Sequence, residues 1–97
     1  MRIEIDRDSL AQFCRRSRIR CLALFGSVLR DDFGPGSDVD VLVEFEPETK
    51  IGLLGLAALE IELSALIGRK VDLRTPAELS RYFRDEVIAS AEVQYAA

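Results

Sequence analysis

Ser37-Asp38-Val39-Asp40-Val41-Leu42-Val43-Glu44-Phe45 is the stretch on which the fold turns. Its β-branched residues favour an extended backbone, and a strand is expected from Asp38 to Phe45. Side chains alternate across a strand, so Val39, Val41 and Val43 share one face and Asp38 and Asp40 the other. The valines read as core. The aspartates then point outward together at the strand's beginning, where two like charges repel unless a cation lies between them.

Upstream, Cys21-Leu22-Ala23-Leu24-Phe25 reads as a short buried strand that stops at Gly26-Ser27. A glycine there lets the backbone turn sharply and approach a phosphate closely. A strand end feeding a helix start also leaves backbone N–H groups free for an anion. A helical turn is expected over Val28 to Arg30. Asp31 to Ser37, punctuated by Gly34-Pro35-Gly36, reads as a loop. The first helix is expected to begin at Asp8 or Ser9, with Leu10, Phe13 and Cys14 on its apolar side.

Downstream, a turn around Pro47 leads to a helix from Ile51 to Ile67, closed by Gly68. Lys70 to Arg74 is a third strand, with Asp72 between Val71 and Leu73. Thr75-Pro76 opens a helical turn. A last helix is expected from about Ser80 to Tyr95. Strands alternating with helices define an α/β domain on a small mixed sheet flanked by helices, with residues 1–97 as a single unit.

If the third strand lies beside the second, three carboxylates gather near one phosphate-binding turn. Hard oxygen ligands of this kind suit Mg2+, which completes its shell with water and substrate phosphates. Two such ions on Asp38, Asp40 and Asp72 would serve phosphoryl transfer, one activating the attacking oxygen and the other holding the leaving group. A lone Gly-Ser or a lone Asp-x-Asp carries little weight. Their spacing together with the third aspartate is what carries the reading.

The pattern Gly26-Ser27, ten residues, Asp38-x-Asp40 resembles the signature of the minimal nucleotidyltransferases, a branch of the polymerase-beta-like superfamily. Leu24-Phe25 before it and Val71-Asp72-Leu73 after it also fall as in that family, and the likeness covers essentially the whole chain. The tail Tyr82-Phe83-Arg84-Asp85-Glu86-Val87 is similar to that of antitoxins paired with HEPN-domain toxins. The resemblance implies that Gly26 and Ser27, with Ser37 and Arg30, bind the nucleotide. It implies that Asp38 and Asp40 bind two Mg2+ ions, and that Asp72 is a metal ligand or the base for the acceptor hydroxyl. Arg30 precedes Asp31, where many relatives have glycine, and reads equally as a phosphate contact or as an ion pair with Asp31 or Asp32.

By the same resemblance the substrate is ATP, the partner a HEPN ribonuclease toxin in a hetero-oligomer, and the reaction AMP transfer to a toxin tyrosine. Acting mainly by binding and occluding the toxin, with little or no catalysis, is the alternative. Transfer to a small molecule is disfavoured, because the larger nucleotidyltransferases that do it carry a second domain for the acceptor.

Composition narrows the classes further. The 97 residues are 48% hydrophobic and 31% charged, as in globular domains. A formal net charge of -4 argues against nonspecific nucleic-acid binding. The cluster Arg15, Arg16, Arg18 and Arg20 reads first as a solvated face and helix-end charge. With no histidine, neither a histidine base nor the usual zinc set is open to the chain. Cys14 and Cys21 sit among apolar residues and read as reduced thiols, as expected in the cytoplasm. The charged start Met1-Arg2-Ile3-Glu4 is no signal peptide. The apolar stretch Ile51 to Gly68 carries Glu60 and Glu62 and is too short for the ~20 residues of a membrane span.

The longest helix has two apolar stripes. Leu56, Leu59, Leu63, Leu66 and Ile67 can cover the sheet. Leu54, Ala58, Ile61 and Ala65 lie nearly opposite and call for either the last helix or another protein as cover.

Overall fold

The structure is a computed structural model and describes residues 5–26, 38–76 and 84–97. The elements run α1 (Arg7–Arg16), β1 (Ile19–Phe25), β2 (Val39–Phe45), α2 (Leu53–Ile67), β3 (Val71–Arg74), α3 (Arg84–Ser90) and β4 (Glu92–Ala96). Among the described residues four strands form one mixed sheet in the order β3-β2-β1-β4. β1 is antiparallel to both β2 and β4, while β2 and β3 are parallel, joined by the α2 crossover.

α1 starts one residue ahead of the expected Asp8, with Asp6 at the N-cap. The Asp6 carbonyl accepts from the Leu10 N–H at 3.0 Å, and its carboxylate accepts from the Ser9 hydroxyl at 2.5 Å. That hydroxyl, more than any other group, lowers the Asp6 carboxyl below its ordinary pKa. Leu10, Phe13 and Cys14 are buried, as the helical spacing predicts. Gly68 closes α2 in the left-handed region at φ 79°, its N–H donating to the Ser64 carbonyl at 2.8 Å.

The core lies between the sheet and the two helices. Val39, Val41 and Val43 of β2, Val71 and Leu73 of β3, and Leu22 and Leu24 of β1 meet Phe13 of α1 and Leu63 and Ile67 of α2. Leu56, Leu59 and Leu66 pack against this cluster, so the first stripe of α2 covers the sheet as expected. The second stripe is open: Leu54 is 89% and Ile61 72% exposed. The last helix does not bury it.

The tail differs from the sequence-based expectation. Instead of one helix to Tyr95, the chain forms the short α3 and then β4, which pairs Leu22 with Tyr95 and Ala23 with Val93. Without β4, β1 would leave a row of unpaired backbone groups along its second edge. The alternating, β-favouring Val93 and Tyr95 meet that need better than another helical turn would.

Two of the four clustered arginines form ion pairs. Arg16 makes a two-pronged bond to Glu62 at 2.7 and 3.2 Å, tying α1 to α2, and Arg20 reaches Glu44 at 3.1 Å. Among the described residues no helix is long and apolar enough to cross a membrane.

Candidate active site

Strand register builds the site. Phe25 of β1 is opposite Asp40 of β2, and Asp40 is opposite Asp72 of β3. The row Phe25–Asp40–Asp72 therefore crosses three strands at the end where β1 finishes and β2 and β3 begin. Asp40 and Asp72 are parallel neighbours on the face away from the core. Asp38 precedes β2 by one residue, and its neighbour Val39 donates its N–H to the Lys70 carbonyl at 2.8 Å.

Gly26 follows Phe25 with φ 73°, a backbone region that side chains rarely adopt. A Cβ placed there would run into the Asp40 carboxylate. The sequence suggests a close approach of this glycine to a phosphate. In the structure the group lying against it is Asp40, which places the turn and the carboxylate in direct contact.

Basic side chains stand beside the acids. Arg74 Nη2 is 3.1 Å from Asp72 Oδ2, and Lys70 Nζ is 4.0 Å from Asp38 Oδ2. Both pairs are substantially exposed and contribute little to stability. Their effect is local, since each offsets the repulsion that a cluster of carboxylates sets up. Sequence reasoning missed Lys70 and Arg74, although the signal was present: Lys70, Asp72 and Arg74 alternate with Val71 and Leu73 and must share a face.

Among the described residues no three Asp, Glu, Cys or His side chains form a ready cage for a metal ion. That is compatible with Mg2+, which takes one or two carboxylates plus water and substrate phosphates rather than an all-protein cage. Of the residues expected to hold the nucleotide, Gly26 lies at the site, while Ser27, Arg30 and Ser37 fall outside the described residues. So does the turn expected over Val28 to Arg30.

The same sheet face continues into an apolar cleft of about 190 Å³. Leu42, two residues after Asp40, lies on its floor with Ala23, and Ile88 and Val93 wall it. The thiols sit apart from the carboxylates. Cys14 is buried, and loss of solvation pushes its pKa up to about 12, with the Cys21 thiol adding to the effect.

Comparison with known proteins gives these observations a family. The model of the nucleotidyltransferase domain matches residues 7–95. A relative from Methanocaldococcus jannaschii, MJ1217, assigned as a protein adenylyltransferase, is 44% identical over 59 residues, 60% of this chain. The match spans only 57% of that relative's own length. A solved structure described as a minimal nucleotidyltransferase superposes with a TM-score of 0.70 at 34% identity, over 88% of this chain and 85% of its own. The fold is also that of the MNT antitoxin solved with a tri-AMPylated HEPN toxin from Shewanella oneidensis, with TM-score 0.66 and 17% identity over 94% and 70% of the two chains. At that identity the likeness speaks for the fold. The mixed four-stranded sheet, its carboxylate row and the match along nearly its whole length place this chain in the nucleotidyltransferase domain family.

Proposed function

We propose that this nucleotidyltransferase moves AMP from ATP to a tyrosine of a HEPN-domain ribonuclease toxin and so acts as its antitoxin. The observation that carries the reading is the register of Asp40 against Asp72, beside the glycine turn at Gly26. Gly26 and Ser27, with Ser37 and Arg30, take the triphosphate. Asp38, Asp40 and Asp72 would hold Mg2+ against the phosphates, with Asp72 also facing the acceptor. Bound Mg2+ would neutralise charge building on the phosphates and favour the deprotonated acceptor.

The tyrosine oxygen attacks the α-phosphorus, the bond from that phosphorus to the bridging oxygen breaks, and pyrophosphate leaves. A tyrosine hydroxyl has an ordinary pKa near 10 and needs a proton acceptor at neutral pH. With no histidine in the chain, we assign that proton to Asp72, whose register beside Asp40 supports the choice. The relatives support the choice of a protein acceptor, since one is assigned as a protein adenylyltransferase and another was solved against an AMP-modified toxin.

The test is to incubate the protein with its cognate toxin, ATP and Mg2+ and to weigh the toxin. Wild type is expected to add the mass of AMP and Asp72→Asn to add none while still binding ATP. A second reading has its own support. The uncovered stripe at Leu54 and Ile61 suits a partner surface, which favours neutralisation by occlusion. A stable complex that silences the toxin without any mass gain would establish that reading instead.

A further inference from the structure

We propose that Glu60 and Ser64 of α2 are positioning residues that hold Asp72 opposite Asp40. The inference deepens the functional reading above and rests on it for the role of Asp72. β3 is only four residues long and, among the described residues, lies at the edge of the sheet with β2 on one side alone. In a parallel pair, alternate residues direct their N–H groups to the neighbouring strand and away from it. The Lys70 carbonyl bonds to β2, so the backbone groups of Asp72 face β2 while the Val71 and Leu73 N–H groups face outward.

Both outward donors are taken by α2. The Val71 N–H donates to Ser64 Oγ at 3.0 Å, and the Leu73 N–H donates to Glu60 Oε2 at 2.8 Å. The two bonds flank Asp72. Ser64 in turn donates its hydroxyl proton to the Glu60 carbonyl at 2.7 Å, which fixes the direction of its acceptor lone pairs.

The spacing makes this pair of bonds a ruler. Residues four apart on a helix are about 6 Å apart along its axis, and residues two apart on a strand about 6.6 Å. Glu60 and Ser64 therefore meet Leu73 and Val71 in antiparallel order with almost no mismatch. If β3 slipped by one residue, the Asp72 side chain would turn toward the core and the outward donors would turn to β2. The carboxylate acceptor on Glu60 makes its bond a charge-assisted one, among the stronger hydrogen bonds in proteins. Covering an edge strand also discourages pairing with other chains, but that alone requires no particular place for Asp72.

The experiment is a double-mutant cycle on metal binding, run with the full chain. Mn2+ affinity in the presence of a non-hydrolysable ATP analogue is read from the paramagnetic resonance of the free ion. Glu60→Ala and Asp72→Asn are each expected to weaken Mn2+ binding several-fold. Glu60→Ala in the Asp72→Asn background should add nothing, because its effect passes through Asp72. In AMP transfer, Glu60→Ala should lower kcat on the order of 10- to 100-fold, as small misplacements do, with KM for ATP held. Glu60→Gln, which keeps an oxygen acceptor, should recover much of the loss.

Ser64→Ala is the milder variant if Glu60→Ala does not fold, and Ser64→Thr should rescue it. Equal weakening of Mn2+ binding by Glu60→Ala in both backgrounds would overturn the proposal. So would a Glu60→Ala protein whose Leu73 amide exchanges freely while Mn2+ binding stays at the wild-type level. A wild type that binds Mn2+ but never transfers AMP would overturn the functional reading alone, with the cycle still deciding the role of Glu60.

Discussion

Val39, Val41 and Val43 on one face of β2 have no solvent exposure, while Asp38 and Asp40 on the other remain open to solvent in part. A single residue of offset separates the two sets. The valines hold β2 against α1 and α2, and the aspartates contribute nothing to that packing. The carboxylates can therefore be changed without touching the core, and the core weakened without touching the carboxylates. The adjacent β3 repeats the arrangement with Val71 and Leu73 inward and Asp72 outward.

The largest expected effect breaks the outer face. Asp38→Asn with Asp40→Asn should reduce AMP transfer by at least ~10²–10³-fold, the usual result of losing a transition-state charge contact. The far-UV circular dichroism and the melting temperature should stay close to wild type, because neither side chain is part of the core. Normal transfer by the double variant would remove the carboxylates from the mechanism.

Leu63→Ala attacks the inner face. Leu63 is fully buried between α2 and the sheet, so its truncation should cost about 2–5 kcal/mol in urea unfolding. ATP binding per folded molecule should hold. A loss of affinity in the folded fraction would mean that the two faces are less separate than their geometry suggests.

Cys14 gives a pH-dependent version of the same contrast. Burial raises its pKa to about 12, above the ~8.5 of a free thiol. The folded state then keeps a proton that the unfolded state has lost, so the contribution is complete below about pH 8.5 and disappears as pH rises through the folded value. Stability should decline from about pH 9 upward by as much as ~1.4 kcal/mol per unit from this group. Cys14→Ala, though less stable at neutral pH, should show a flatter alkaline slope in urea titrations. An unchanged slope would assign the alkaline loss to other groups.

Ile61→Glu is expected to have the smallest effect on folding, within ~0.5 kcal/mol, because the side chain is 72% exposed. Its consequence should appear in toxin binding, read by pull-down or calorimetry. A folded variant that binds the toxin normally would remove the outer stripe of α2 from the interface.

Much of this contrast is legible in the amino-acid order. Period two in Asp38 to Val43 separates acids from core, and Gly68 marks the end of α2 through its need for a left-handed backbone. The parallel register of Asp40 with Asp72 is not written there, because it depends on how α2 returns the chain to the sheet. β4 was illegible for a related reason. Five residues beside a helical segment carry a weak strand signal, and the need they satisfy lies on β1. The bonds from Glu60 and Ser64 to β3 were hidden as well, since on a sequence wheel both residues read only as polar interruptions of an apolar helix.

The pairing of β1 with β4 has a kinetic consequence. Cys21 meets Ala96 and Leu24 meets Glu92, so strands adjacent in space are separated by most of the sequence. Closing so long a loop carries an entropic cost that local helix formation does not, and contacts of this kind slow folding. As the chain emerges in order from the ribosome, β1 and β2 become available before β4 does. For that interval β1 offers a bare edge to any strand nearby.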